Sequence, residues 1–255
     1  MPQISSVQSQ TPLHAWQVPT PCGITDVTAS AGQTTVVLGA NGAGKSGLAT
    51  WMMRGFPSSK NIERLVAHRQ IWLSTSASSL TPSSRLQNSS YWDSQDRHDD
   101  SRWKDVVGDN RNSMLLLDLS SAENFHNARI ASAVEADSDW KALGERPFVK
   151  LNRILQRSGL DVSISISELG ELSTKSSSGV DYPIAMMSDG EKSGLILAGE
   201  VLTAREGAII ILDEPERHLH RSVSAPLVTS ALHERPDCSF IVFTHDIELA
   251  SELKS

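Results

Sequence analysis

The residues best suited to chemistry in this chain are eight consecutive ones, residues 39–46, which read GANGAGKS and match the phosphate-binding pattern G-x-x-x-x-G-K-[ST]. Glycines let a backbone wrap closely around phosphate oxygens, and a helix that begins near Lys45 directs its positive end at the same oxygens. Lys45 would neutralise the β and γ phosphates, and the Ser46 hydroxyl would bind Mg²⁺. This phosphate loop therefore predicts a nucleoside-triphosphate site with the ligands Gly39, Asn41, Gly42, Gly44, Lys45 and Ser46.

A second candidate group is a pair of acids at the end of an apolar run. Residues 208–212 read AIIIL, as a buried strand would, and Asp213 and Glu214 follow directly. Two carboxylates at that position are costly unless a polar group meets them, and a hydrated Mg²⁺ on a nucleotide would do so. Asp213 is predicted to hold the metal through water, and Glu214 to act as the general base. The alternative is a pair of acids that caps the following helix.

The elements that must position these groups follow from hydrophobic periodicity and turn residues. The predicted strands are residues 14–18, 23–27, 34–38, 65–67, 208–212 and 239–244. The predicted helices are residues 46–56, 114–134, 148–155 and 194–203, and alternation over residues 162–169 and 171–175 predicts a small β-hairpin. Residues 74–109 are rich in Ser, Asp, Asn and Arg, and this composition predicts a linker or a mobile insertion. Together these elements indicate an α/β protein.

Size and charge limit the classes of protein that fit. With 255 residues the chain can form one large domain, or a core with an inserted lobe. The net charge of −7 excludes a general field that attracts DNA or an anionic membrane, although a local basic groove stays compatible with it. Cys22 and Cys238 form no CxxC pattern, and the sequence has neither a signal peptide nor a long apolar run. We therefore expect a cytoplasmic protein with reduced thiols and no membrane association.

A third motif carries a family resemblance. Residues 187–193 read MSDGEKS, precede a predicted helix and lie between the two motifs above. They resemble the signature of ABC-type ATPases, which is LSGGQ in transporters and SxGE[KR] in the SMC and RecF groups. The resemblance implies that Ser188 and Gly190 contact the γ-phosphate held by a second protomer, so that a homodimer or higher homo-oligomer forms around ATP and Mg²⁺. Taken alone, the same residues would be a helix cap with a capping-box glutamate.

The resemblance also assigns roles to three further positions. His245 ends the last predicted strand and corresponds to the switch histidine that hydrogen-bonds the γ-phosphate. Gln70 corresponds to the glutamine that ligates Mg²⁺ or water; Gln87 and Gln95 are poorer alternatives because no apolar strand leads into them. Trp16 lies near the aromatic residue that stacks on adenine in transporters, and an ordinary packed tryptophan is an equal alternative.

One departure from the transporter pattern points to a subgroup. Transporters follow the glutamate with a D-loop of the SALD kind, whereas residues 213–220 here read DEPERHLH. This form resembles prokaryotic ABC-type ATPases such as the overcoming-lysogenisation-defect proteins and the ATPases of the PARIS and Septu anti-phage systems. His218 and His220 could be zinc ligands, but the resemblance instead implies contacts across a dimer at the D-loop position.

The sequence thus predicts a P-loop NTPase fold of the ABC type with an inserted helical lobe and a small hairpin. The core lobe would comprise residues 1–80 and 205–255, and the inserted lobe residues 81–204. The chain ends about one helix after His245, so we expect a fragment or the first domain of a longer protein. The leading function is ATP-driven dimerisation that controls a nucleic-acid-directed or anti-phage effector, such as a nuclease in trans or fused C-terminally. The alternatives are the nucleotide-binding subunit of an ABC transporter and a module that holds ATP without turnover.

Overall fold

The structure is a computed structural model, and it describes residues 12–20, 22–57, 61–66, 73, 75–102, 108–168 and 170–254. Its centre is a sheet of four parallel strands: β3 (Thr34–Leu38), β4 (Ile62–Val66), β8 (Ile209–Asp213) and β9 (Ser239–Thr244). The strand order is β3-β9-β8-β4, so β8 and β9 are central and every residue in them is buried. Continuous burial on both faces explains why these two strands are apolar along their whole length. The predicted α/β class is confirmed.

Helices and a β-ribbon cover the two faces of this sheet. Ile209 and Ile211 of β8 pack with α1 (Lys45–Arg54) and with the antiparallel pair β1 (His14–Thr20) and β2 (Gly23–Ala29). Ile210 and Leu212 face the other way, into the larger cluster that includes α6 (Arg221–His233) and α7 (Ile247–Glu252). The alternation along β8 therefore joins two hydrophobic cores through one strand.

The segment between β4 and β8 is mostly helical. It contains α2 (Pro82–Asp96), α3 (Gly108–Glu135), α4 (Pro147–Arg157) and α5 (Asp189–Thr203). The helices predicted over residues 114–134, 148–155 and 194–203 are confirmed and lie inside α3, α4 and α5. None of the described helices is long and apolar enough to cross a membrane.

Two expectations for this segment were wrong or incomplete. The linker interpretation was wrong for residues 82–96, which form α2; Thr81 caps this helix reciprocally with Ser84, and Pro82 occupies its first turn. The predicted hairpin has a third strand, because β5 (Val162–Ile166), β6 (Leu172–Ser176) and β7 (Asp181–Pro183) form one antiparallel sheet. This sheet leads directly into the residues that precede α5.

Candidate functional site

The phosphate loop connects β3 to α1 at the carboxyl edge of the central sheet. Gly42 and Gly44 have φ angles of 81° and 89°, a region that residues with a Cβ rarely adopt, so glycine is required at both positions. Gly44 is the N-cap of α1 and offers no side chain to the first turn of the helix. The backbone N–H groups of that turn therefore have no side-chain partner at the cap and can receive an anion.

Lys45 is held inside the loop by the loop's own backbone. Its Nζ donates hydrogen bonds to the carbonyl oxygens of Gly39, at 2.9 Å, and Ala40, at 3.1 Å. The same ammonium lies 3.4 Å from Oε1 of Glu214. Lys45 is also only 8% exposed, so water screens the attraction between its charge and a phosphate only weakly.

Ser46 and Asp213 come from distant parts of the sequence and meet in space. The Ser46 hydroxyl lies 3.2 Å from Oδ1 of Asp213, and 167 residues separate the two along the chain. Mg²⁺ favours hydroxyl, carboxylate and water oxygens at an octahedral site. The two side chains thus converge as a magnesium pair would, and they are the residues that would hold the ion.

Arg64 was missed by the sequence analysis and contacts the other oxygen of Asp213. Its guanidinium lies 2.6 Å from Oδ2, and neither side chain has any solvent exposure. The same guanidinium donates to Thr50 Oγ1 at 2.8 Å. Arg64 shares one face of β4 with buried Ile62 and Val66, and that period-2 position is the signal that could have identified it. Arg64 therefore pairs with one oxygen of Asp213, and the other oxygen lies beside Ser46.

Glu214 and His245 are brought together where β8 and β9 end. The backbone N–H of Glu214 donates to the carbonyl of Phe243 at 2.8 Å, and the Glu214 φ of 54° turns the chain sharply after β8. Glu214 Oε1 lies 3.8 Å from His245 Nδ1. On β9, the Thr244 carbonyl accepts the N–H of Gly39 at 3.1 Å, which ties the phosphate loop to the residue before the histidine. Glu214, His245 and the phosphate loop therefore share one edge of the sheet.

Comparison with known families agrees with this arrangement. The family model described as ABC transporter matches residues 24–217, which include the phosphate loop, Ser188, Asp213 and Glu214. The chain belongs to this ABC family. The family's domain is an ATPase domain, so this chain is an ATPase of the P-loop fold. ATP with Mg²⁺ is the family's general substrate complex.

Three of the solved structures that align with this chain illustrate the range of matches. One is cbiO1 from Clostridium perfringens, part of the ABC transporter complex cbiONQ, at 18% identity and a TM-score of 0.43, covering 91% of this chain and 74% of that one. Another is the SmcHead bound to the C-winged helix domain of ScpA, at 15% identity and a TM-score of 0.44, covering 90% and 86%. The archaeal ribosome recycling factor aABCE1, solved with the stalk protein aP1, gives 13% identity, a TM-score of 0.44 and coverage of 89% and 32%. No curated protein matches the chain.

Two residues predicted for the nucleotide site, Trp16 and Gln70, have different outcomes. Trp16 is 4% exposed; its indole N–H donates to the Met52 carbonyl at 3.1 Å, and its ring stacks on Phe56 at 5.8 Å between centroids. A ring covered in this way has no free face for adenine, so the structure favours the packed alternative and does not support adenine stacking. Gln70 lies outside the described residues.

The ABC signature residues form a helix cap in the single chain. Ser188 is the N-cap of α5: its Oγ accepts the N–H of Glu191 at 3.3 Å, and its own N–H donates to Glu191 Oε2 at 2.8 Å. Ser188 is exposed, and no hydrogen bond among the described residues joins Ser188 or Gly190 to the phosphate loop of the same chain. Any contact of these two residues with nucleotide must come from another protomer or a changed conformation, so their assigned role stays a prediction.

The two histidines of the D-loop position lie near the start of α6. His220 is the N-cap of this helix, and its Nδ1 accepts the N–H of Ser222 at 3.3 Å. His218 adopts a φ of 66°, which turns the chain ahead of the helix. The cap explains His220 without a zinc ion, and the predicted dimer contact of the two residues stays a prediction.

Proposed function

We propose that this ATPase binds Mg-ATP at the phosphate loop and hydrolyses it with Glu214 as the general base. The supporting observation is the convergence of Lys45, Ser46, Asp213, Glu214 and His245 at one edge of the sheet, although they come from the phosphate loop and from two distant strand ends. Each of the five side chains contacts another of the five: Lys45 contacts Glu214, Ser46 contacts Asp213, and Glu214 contacts His245. A purely structural role would rarely bring five polar side chains together in this way. The arrangement fits phosphoryl transfer to water.

In this mechanism each side chain has a separate role. Lys45 Nζ exchanges its carbonyl partners for β- and γ-phosphate oxygens and neutralises them. Ser46 and Asp213 would hold Mg²⁺, which would supply a second positive charge to stabilise the leaving diphosphate. Glu214 accepts a proton from the attacking water, whose oxygen bonds to the γ-phosphorus as the bond to the bridging oxygen breaks. His245 orients that water and the γ-phosphate.

We further propose that two protomers share two such sites. Ser188 and Asp189 at the start of α5 are exposed, and no hydrogen bond between described residues joins Ser188 or Gly190 to the phosphate loop of the same chain. A helix N-terminus with a serine suits the γ-phosphate of a facing subunit. In a two-fold arrangement both sites form at once, because each protomer supplies one loop and one helix end. ATP would then join the protomers, and hydrolysis would release them.

The test is the mass of the protein in solution with and without Mg-ATP, measured by size exclusion with light scattering. Glu214→Gln should be a dimer in saturating Mg-ATP, because glutamine preserves the contacts and cannot take the proton, so turnover falls by about 10²- to 10⁴-fold. Glu248→Gln, at an exposed position of α7, is the matched control and should behave as the unaltered protein. Adding Ser188→Arg should return Glu214→Gln to a monomer that still binds ATP. A Glu214→Gln protein that stays monomeric would contradict the shared sites.

We propose that this cycle controls a nucleic-acid-directed or anti-phage effector in the cytoplasm, such as a nuclease. The support is the sequence after Glu214, DEPERHLH in residues 213–220, which differs from the transporter D-loop. The second candidate is the nucleotide-binding subunit of a transporter, which the family model's own description favours. Expression with the neighbouring reading frames distinguishes the two. Lys45→Ala should abolish protection from phage if the first is correct, whereas stable co-purification with a membrane-spanning subunit would support the second.

A further inference from the structure

We propose that Glu216 is a positioning residue that fixes the ring of His245. The proton is then on Nδ1, and Nε2 is available to the nucleotide or to the attacking water. This inference rests on the proposed ATPase mechanism and adds a residue to it. Glu216 lies two positions after the base Glu214, on the loop that follows β8. It is 8% exposed, whereas the His245 side chain is 41% exposed.

One oxygen of Glu216 contacts two consecutive residues at the end of β9. Oε1 accepts the Thr244 hydroxyl at 2.7 Å and the backbone N–H of His245 at 3.1 Å. The same oxygen lies 3.0 Å from His245 Nδ1. Glu214 is farther from this nitrogen, at 3.8 Å, so Glu216 is the nearer of the two carboxylates. The ring is thus held at its Nδ1 edge, and its other edge faces away from Glu216.

The chemistry of the contact determines where the proton resides. A carboxylate oxygen and an unprotonated ring nitrogen repel each other at 3.0 Å, so this close contact favours the proton on Nδ1. Nδ1 is then the donor, and Nε2 of the neutral ring is an acceptor that can receive a hydrogen bond from water. Partners of this kind fix the tautomer and orientation of functional histidines.

The second oxygen of Glu216 argues against a purely structural role. Oε2 is buried and has no hydrogen-bond partner within the described part of the chain. Burying a carboxylate with one unsatisfied oxygen is costly, and a glutamine could accept the Thr244 hydroxyl and the His245 N–H through one oxygen at lower cost. A carboxylate, unlike a glutamine amide, presents only acceptors, so it favours the proton on Nδ1 whichever of its oxygens faces the ring.

The first test is the protonation state of His245 in the nucleotide-free protein, read from the ¹⁵N chemical shifts of the imidazole. The chain has eight histidines, and the His245 signals are those lost in His245→Ala. We expect a protonated Nδ1 and an unprotonated Nε2 at a pH where the ring is neutral. A ring protonated on Nε2 would overturn the proposal. This measurement needs neither a variant of Glu216 nor ATP hydrolysis, so it stands if the proposed function fails.

The second test is kinetic. Glu216→Gln should lower kcat for ATP hydrolysis by about 10- to 100-fold, which is the usual effect of removing a carboxylate that orients a functional histidine. KM should change less than about threefold. In the His245→Ala background the same substitution should change the rate less than about twofold, because the group through which it acts is gone. Equal losses in both backgrounds would show that Glu216 acts without His245. Glu248→Gln is the matched control and should retain full activity.

Discussion

The buried ion pair between Arg64 and Asp213 provides a sharp test of how the site is held. We expect Arg64→Met to destabilise the nucleotide-free protein strongly. Methionine fills much of the same space, so the main change is that Asp213 keeps a charge that no longer has its partner at 2.6 Å. Thr50 also loses its guanidinium contact at 2.8 Å.

The magnitude follows from complete burial. Both side chains of the pair have no solvent exposure, and removal of one partner from such a pair costs about 3 to 5 kcal/mol. A typical domain has a total stability of about 5 to 15 kcal/mol, so this loss is a large share. The control is Arg54→Met, which breaks an ion pair with Asp99 at 2.9 Å whose side chains are about half exposed. That change should cost less than about 1 kcal/mol, because water screens the pair.

The assay is urea unfolding at equilibrium without nucleotide, followed by circular dichroism, with the two variants measured side by side. Adding Asp213→Leu to Arg64→Met should restore most of the lost stability, since neither charge then remains buried. The reasoning is refuted if Arg64→Met costs no more than Arg54→Met, or if the double variant is less stable than Arg64→Met alone. Either result would mean that solvent reaches Asp213 when Arg64 is absent.

Three further outcomes follow from the described contacts. Lys45→Ala should abolish tight binding of a fluorescent ATP analogue, since the phosphates lose their main protein cation; unchanged affinity would contradict this. Trp16→Phe should lower unfolding stability by about 1 kcal/mol through loss of the bond to Met52 and leave ATP affinity within twofold; a large loss of affinity would restore the stacking role. Burial raises the pKa of the Cys238 thiol to about 11, so at pH 8 it should react with iodoacetamide far more slowly than exposed Cys22; equal rates of labelling would contradict the burial.

The elements that sequence reasoning predicted best lie beside motifs that are continuous in the chain. The phosphate loop and the Asp213–Glu214 pair are short runs of consecutive residues, so the strands that precede them could be predicted directly. Arg64 was missed because its role depends on the pairing of β4 with β8, and 149 residues separate it from Asp213. Glu216 was missed for the same reason, since its partners lie on β9.

The error over residues 82–96 has a different cause. Serine and asparagine have weak helix propensity, and that composition outweighed the local start signals Thr81, Pro82 and Ser84. Helix α2 is instead stabilised by contacts that composition does not reveal, such as the pairing of Arg85 with Asp118 on α3 at 3.2 Å. Trp16 shows the same limit, because only the packing of β1 on α1 decides whether its ring is free.

Lys45 has protein partners of the kind that a phosphate would replace. Its ammonium is shared among two backbone carbonyls and the Glu214 carboxylate, so an arriving triphosphate competes with three protein oxygens for one cation. A measured affinity is then the difference between two sets of interactions, and it understates the strength of the bound set. Glu214 loses its counter-ion in the same exchange. Under the proposed mechanism, ATP binding would therefore release Glu214 from Lys45 and leave its carboxylate available to the attacking water.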